Sequence, residues 1–372
     1  MHIYIHIPFC KTICSYCDFC KFIYNKKWID DYLNELECEI KKNYKNEKIK
    51  TLYIGGGTPS VLSFEQLEKL FSIIKIFNLD NDYEFTFECN IESIDYKKLD
   101  FLYRNKVNRL SIGVQTFNSK YLKFLNRFHT KEEVFKKINL AKEIGFKNIN
   151  IDLIYAIPNE TILELSNDLS DFLSLDINHI STYSLIIEPH TKLYIEGISN
   201  IDEEIDYKMY NLICETLKKN GFNHYEVSNF AKNGYESKHN LVYWNNLEYY
   251  GFGCGASGYI DNVRYDNTRN LSKYLSGKYL DNYHNVTLNE KIENEFILGF
   301  RKIDGINILN FYQKYNFNVL EFDIIKKLID HEKLIKIETQ IFINPKYMYV
   351  QNEILRDLIG IDYESQMEVY NG

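Results

Sequence analysis

Through residue 190, short apolar and β-branched runs alternate with longer amphipathic stretches, the signature of repeated βα units around a parallel sheet. The strand candidates are His2–Ile7, Thr51–Ile54, Glu84–Glu88, Arg109–Val114, Asn148–Ile154 and His179–Leu185. Helices are expected between them, and two have readable starts. Ser63 with Gln66, and Thr130 with Glu133, have the capping-box spacing in which side chains and backbone N–H groups satisfy each other at a helix N-terminus. Six such units suit an open parallel barrel of the α/β class. In barrels of this kind, reactive groups gather at the C-terminal ends of the strands, where the loops converge on one mouth. The unusual residues fall there: Cys10 follows the first strand, Gly55-Gly56-Gly57 the second, Glu88 ends the third, Gln115 the fourth, and Asp152 lies in the fifth.

After residue 200 the rhythm becomes irregular and includes a Gly-rich aromatic stretch, Tyr249-Tyr250-Gly251-Phe252-Gly253-Cys254-Gly255. From about residue 287 short helices are expected, then a strand-like Lys336–Ile343, Asn344-Pro345 and a second strand-like Tyr347–Val350. Helices leading into a small hairpin suggest a winged-helix-like appendage. The expected domains are therefore a barrel over residues 1–200, an extension over 201–286 and a small C-terminal domain over 287–372.

Eight cysteines matter because four of them, Cys10, Cys14, Cys17 and Cys20, crowd into eleven residues. The opening MHIYIHIPFC does not have the charged and apolar regions of a signal peptide, and no run of about 18 apolar residues occurs, so a cytoplasmic protein without stable membrane insertion is expected. In that compartment thiols stay reduced, and clustered cysteines read as metal ligands. Forty-four basic against fifty-two acidic residues, with no long basic run, argue against general nucleic-acid binding.

Cys10-x-x-x-Cys14-x-x-Cys17 supplies three thiolates within one loop, enough for three irons of a cubane [4Fe–4S] cluster, with the fourth iron left without a protein ligand. Such an open iron can chelate the amine and carboxylate of S-adenosylmethionine (SAM) and place its sulfonium beside the cluster. The alternative is a closed zinc site with Cys20 as fourth ligand, in which the glycine and acid pattern downstream would have no part. Gly55-Gly56-Gly57, directly after a strand, lets the backbone approach a ligand closely. It is a candidate cradle for the methionyl end of SAM. Glu88, Gln115 and Asp152 could meet the ribose, and Arg127 the carboxylate.

Tyr4-x-His6-Ile7-Pro8-Phe9-Cys10-x-x-x-Cys14-x-Tyr16-Cys17, Gly55-Gly56-Gly57-Thr58-Pro59, Gly113-Val114-Gln115-x-Phe117-Asn118 and Asn150-Ile151-Asp152-Leu153-Ile154-Tyr155 together resemble the oxygen-independent coproporphyrinogen dehydrogenase family of radical SAM proteins. The resemblance spans nearly the whole chain. It implies a partial (β/α)6 barrel with a helical C-terminal domain. Carried over residue by residue, it implies SAM contacts at Tyr4, Tyr16, Gly56, Gly57, Thr58, Glu88, Gln115, Arg127 and Asp152, and one at Ile186 through a gapless alignment over a variable stretch.

That family has two branches of different class, a decarboxylating coproporphyrinogen III dehydrogenase and a HemW-type heme chaperone that binds heme and passes it to an acceptor protein. Three features resemble the chaperone branch. The first strand starts at residue 2, which leaves no room for the dehydrogenase's N-terminal extension; Cys17-Asp18-Phe19 replaces the dehydrogenase's fourth cysteine; and His239-Asn240-x-x-Tyr243-Trp244 matches a pattern of the chaperones. An imidazole suits axial ligation of heme iron, and the two aromatics offer flat surface to a porphyrin, so His239 is a candidate heme ligand beside the alternative of a packed histidine. The chain is read as a heme carrier with cluster, SAM and heme as cofactors, a heme-accepting protein as partner, and an external electron donor if SAM is cleaved. No catalytic residue is assigned, and coproporphyrinogen dehydrogenation is the alternative.

Overall fold

A computed structural model describes residues 1–371. Six strands head the βα units: β1 (His2–Ile7), β2 (Lys48–Gly56), β3 (Asn78–Asn90), β4 (Arg109–Gln115), β5 (Asn148–Tyr155) and β6 (His179–Ser184). A later strand, β7 (Tyr250–Phe252), pairs with the free side of β1. Within a nine-stranded sheet these lie in the order β7-β1-β2-β3-β4-β5-β6, each neighbouring pair of the seven parallel, and the sheet does not close on itself. The six sequence-derived strands are all present, with β3 starting six residues before its apolar pattern because its first six residues, Asn78–Tyr83, are mostly polar and none is buried.

The helices that follow have the starts expected of them. Phe64–Ile74 begins at Ser63 and Lys131–Ile144 at Thr130, each with a complete capping box. Two more boxes, Thr161 with Glu164 and Thr287 with Glu290, start helices Ile162–Ser174 and Leu288–Gly299. Aliphatic and aromatic side chains from both sheet faces and from helices Phe64–Ile74, Lys131–Ile144 and Ile162–Ser174 form one large core, with Ile3, Ile5, Leu52, Phe87, Leu110, Ile112, Ile151 and Ile180 all buried. A strand buried on both faces reads as a near-continuous apolar run, which is why the parallel strands were legible.

The chain divides into two compact units. One comprises Met1–Asn223, Phe230–His239 and Glu248–His284; the other His224–Asn229, Asn240–Leu247 and Asn285–Gly372. The second unit has its own core around Phe296, Phe311, Phe322 and Tyr363. Its helices Leu288–Gly299, Ile308–Tyr315 and Asp323–Asp330 lead into an antiparallel hairpin, Leu334–Ile337 with Gln340–Ile343. Lys336–Ile343 is thus two strands with a turn, not one strand, because Glu338 takes φ +50° and reverses the chain. Tyr347–Val350 is not a strand: Pro345 starts a 3-10 turn, Pro345–Tyr347, and helix Gln351–Arg356 follows.

Candidate functional site

The cysteine loop is closed by a two-residue parallel ladder, Phe9–Cys10 against Phe22–Ile23. Tyr24 N donates to Cys10 O at 2.9 Å and Phe22 N to Pro8 O at 2.6 Å. The loop between is fixed from outside. Ser15 donates its amide to Leu125 O (3.2 Å) and its hydroxyl to Phe124 O (2.7 Å), and Asn126 Nδ2 donates to Ile13 O (2.8 Å). Cys10 is buried, and Cys14 and Cys17 are partly exposed. Burial lifts the Cys10 thiol to about 11 and raises Cys17 as well, so a metal taken up there would have to displace protons.

The glycine turn at the end of β2 stands beside this loop. Gly57 N donates to Ile7 O and Thr58 N to Phe9 O, each at 2.9 Å, while the Thr58 hydroxyl reaches Cys10 Sγ at 3.5 Å. Glycine is required at two of these positions. Gly56 has φ +110° and a Cβ there would stand 2.5 Å from the His6 ring; at Gly57 a Cβ would meet the backbone N of Phe9 at 2.8 Å. Glu88 braces the turn, accepting from Gly56 N at 2.9 Å and from the Tyr53 hydroxyl at 2.6 Å. Burial pushes its carboxyl up to about 7 against those hydrogen bonds.

Arg127 is the hub on the other side. It is buried, and donates to Gly113 O (2.5 Å), to Asn90 Oδ1 (3.0 Å) and towards Cys14 Sγ (3.9 Å), with Glu92 at 3.8 Å. His129 pairs with the same Glu92 at 3.3 Å. Gln115 sits at φ +74° where the β4–β5 register shifts, which turns it back so that its Nε2 lies 3.0 Å from where a Gly113 Cβ would be. Asp152 accepts from Asn150 Nδ2 at 2.9 Å, and burial raises its carboxyl although Asn150 and Ser181 hydrogen bonds oppose that shift.

Tyr4 and His6 connect the first strand to the loop's far end. The Cys20 carbonyl can only accept, so His6 Nε2 donates to it (2.8 Å), and His6 Nδ1 accepts a hydrogen bond from the Tyr4 hydroxyl (2.9 Å). Tyr16 is partly exposed between Cys14 and Cys17 and Ile186 is exposed by 63%. The structure thus gathers Cys10, Gly56, Gly57, Thr58 and Glu88 on one side and Cys14, Gln115 and Arg127 on the other, while Ile186 stands in solvent. Sequence reasoning missed Asn90 and Glu92, which reach Arg127, and His129, which pairs with Glu92; their only signal is position, at or just past the end of β3 or in the segment beyond β4.

His239 packs on Tyr53, whose hydroxyl holds Glu88. Its ring is buried, with Nδ1 2.8 Å from Thr51 Oγ1 and its face 5.1 Å from the Tyr53 ring. Both oxygens of Glu84 accept from the start of helix Lys238–Trp244, from Lys238 N (3.0 Å) and His239 N (2.9 Å). Ligation of an external iron by Nδ1 would require the ring to leave Thr51.

Three thiols on one loop, a side-chain-free turn beside them and a guanidinium at Cys14 form a donor set that fits a three-thiolate cubane. Among the described residues no three His, Cys, Asp or Glu groups converge as one metal ion requires, whereas in a cubane each thiolate takes a different iron.

The radical SAM superfamily profile matches residues 4–172. The chain is 40% identical to the heme chaperone HemW of Lactococcus lactis subsp. lactis over 96% of both chains. It is 38% identical to HemW of Bacillus subtilis over 96% of this chain and 98% of that one, and 32% identical to HemW of Escherichia coli over 82% and 83%. Among solved structures, the coproporphyrinogen III oxidase HemN of Escherichia coli superposes with a TM-score of 0.85 at 22% identity, over 96% of this chain and 90% of that one, which shows a common fold.

Proposed function

Because the chain belongs to the HemW family of radical SAM proteins, we propose that it is a heme chaperone, binding heme and passing it to an acceptor protein. The observation that carries this reading is similarity to heme chaperones over 96% of the chain. We assign a [4Fe–4S] cluster to Cys10, Cys14 and Cys17. When bound, the cluster supplies an iron without a protein ligand that can chelate the amine and carboxylate of SAM. The chain's own residues then have distinct tasks. Gly56 and Gly57 let the backbone come close to the methionyl end, Glu88 holds that turn in place, and Arg127 presents a fixed positive charge beside Cys14. Tyr4, Tyr16, Thr58, Gln115, Asp152 and Ile186 are assigned to the rest of the SAM site. His239 is given a packing role, supported by its enclosure against Thr51 and Tyr53. We place this work in the cytoplasm, with an external electron donor needed only if SAM is cleaved; no described helix is long and apolar enough to cross a membrane.

Anaerobic reconstitution followed by parallel heme and coproporphyrinogen assays tests the reading. Wild-type protein should carry about four irons, a content that Cys10→Ala, Cys14→Ala and Cys17→Ala each abolish and Cys20→Ala retains. Heme titration should give a saturable Soret shift with no consumption of coproporphyrinogen. Sustained decarboxylation by the wild-type protein would overturn the chaperone assignment in favour of the dehydrogenase.

A further inference from the structure

Cys20 has no part in the cluster assignment, yet it is 6% exposed and sits against a second thiol, Cys254, that is fully buried. The two sulfurs rest on consecutive carbonyls of one segment. Cys254 Sγ donates to Thr268 O at 3.0 Å and Cys20 Sγ to Arg269 O at 3.7 Å. Glycine after Cys254 is what permits this approach: Gly255 has φ +85°, and a Cβ on it would stand 2.4 Å from Cys20 Cβ and 2.9 Å from its sulfur. The turn carrying Cys254 is rigidly held, with Gly253 N on Glu39 (2.9 Å), Cys254 N on the Tyr32 hydroxyl (3.3 Å) and Gly255 N on Thr268 O (2.9 Å). Arg269 also donates to Asp18 O at 2.5 Å, which puts a cation beside the end of the cysteine loop.

We propose that Cys20 and Cys254 are a redox-active dithiol that peroxide converts to a disulfide, joining the end of the cysteine loop to the Gly253–Gly255 turn. The neighbouring Cys254 thiol, which can turn from Thr268 O to donate to a Cys20 thiolate, and the charge of Arg269 lower the Cys20 thiol against its burial, which makes Cys20 the attacking sulfur. Its thiolate attacks one oxygen of hydrogen peroxide; the S–O bond forms, the O–O bond breaks, and the hydroxide released takes up a proton as water. Cys254 then attacks the sulfenic sulfur; the S–S bond forms, the S–O bond breaks, and a second water leaves with the Cys254 proton. In sum, two thiols lose two electrons and two protons, and one peroxide becomes two waters. The link keeps Cys20 out of disulfides with the three cluster cysteines when oxidant strips the iron.

The test uses the full-length, cluster-loaded protein treated anaerobically with measured additions of hydrogen peroxide, then alkylated and mapped by mass spectrometry without reduction. The expected result is loss of alkylation at both Cys20 and Cys254, with a linked peptide lighter by two hydrogens than the two reduced peptides together. In Cys254→Ser, Cys20 should instead be trapped as sulfenic acid by dimedone. The proposal fails if both thiols stay alkylatable while the cluster bleaches, or if Cys20 is found joined to Cys10, Cys14 or Cys17. The wild-type map decides even if the variant does not fold.

Discussion

Arg127 illustrates how one side chain can serve structure and ligand together. From the sequence it is a cation available to a SAM carboxylate; in the structure it also ties Cys14 to Asn90 and to the Gly113 carbonyl. Asp152, by contrast, is held through Asn150 on its own strand and touches nothing in the cysteine loop that its hydrogen bonds record. The two should therefore separate experimentally. Asp152→Asn should keep the wild-type iron content and weaken SAM binding about 10- to 150-fold, the loss of one charge-assisted hydrogen bond of roughly 1.5–3 kcal/mol. Arg127→Ala should lower both SAM affinity and iron content, because a buried loop anchor goes with the charge. Calorimetry and iron analysis on the same anaerobic samples check both, and unchanged SAM affinity in Asp152→Asn would remove it from the site.

At the scale of elements, the first two residues of helix Lys238–Trp244 are held by a carboxylate that belongs to β3, since Glu84 accepts from the amides of Lys238 and His239. Its histidine is fixed by β2 through Thr51. Burial holds His239 at about 3, well below its ordinary 6.5, so protonation opposes folding: its contribution is fully present above pH 6.5 and is lost as pH falls towards 3. His239→Gln should unfold at lower urea than the wild type at pH 7.5, by roughly 1–3 kcal/mol for a disturbed buried hydrogen bond, and the gap should narrow as pH drops below 6.5. Its folded fraction should bind heme with an unaltered Soret band. A shifted band in the variant would return His239 to the role of heme ligand.

On the scale of the whole chain, Glu39 of helix Lys26–Asn43 joins sequence separated by more than two hundred residues. It accepts from Gly253 N (2.9 Å), Asn267 Nδ2 (2.6 Å) and the Tyr274 hydroxyl (2.5 Å), and is almost fully buried. Burial raises its carboxyl from 4.5 to about 7 despite these donors. The folded state therefore holds the proton more tightly than the unfolded chain, and the stability from this group is present below pH 4.5 and lost as pH rises through 7. Glu39→Gln keeps the acceptor oxygen without the charge, so its urea midpoint relative to the wild type should climb between pH 5 and pH 8. A difference that does not change with pH would mean that Glu39 is ionised throughout.

The sequence alone determined the βα rhythm, the two capping boxes it picked out, the cysteine loop and the glycine turn, because each is a local device: apolar runs set by burial on both sheet faces, caps set by three-residue spacing, and a tight turn set by residues without Cβ atoms. It also carried the family, through YxHIPFC and HNxxYW. Tertiary structure decided what those residues touch. That His239 packs on Thr51, that Arg127 rests on Asn90, and that Cys20 meets Cys254 are contacts across 188, 37 and 234 residues of chain. The lost strand at Tyr347–Val350 has the same cause, since its apolar residues suit a strand or a packed turn equally and Pro345, with the packing of the second core, chose the turn.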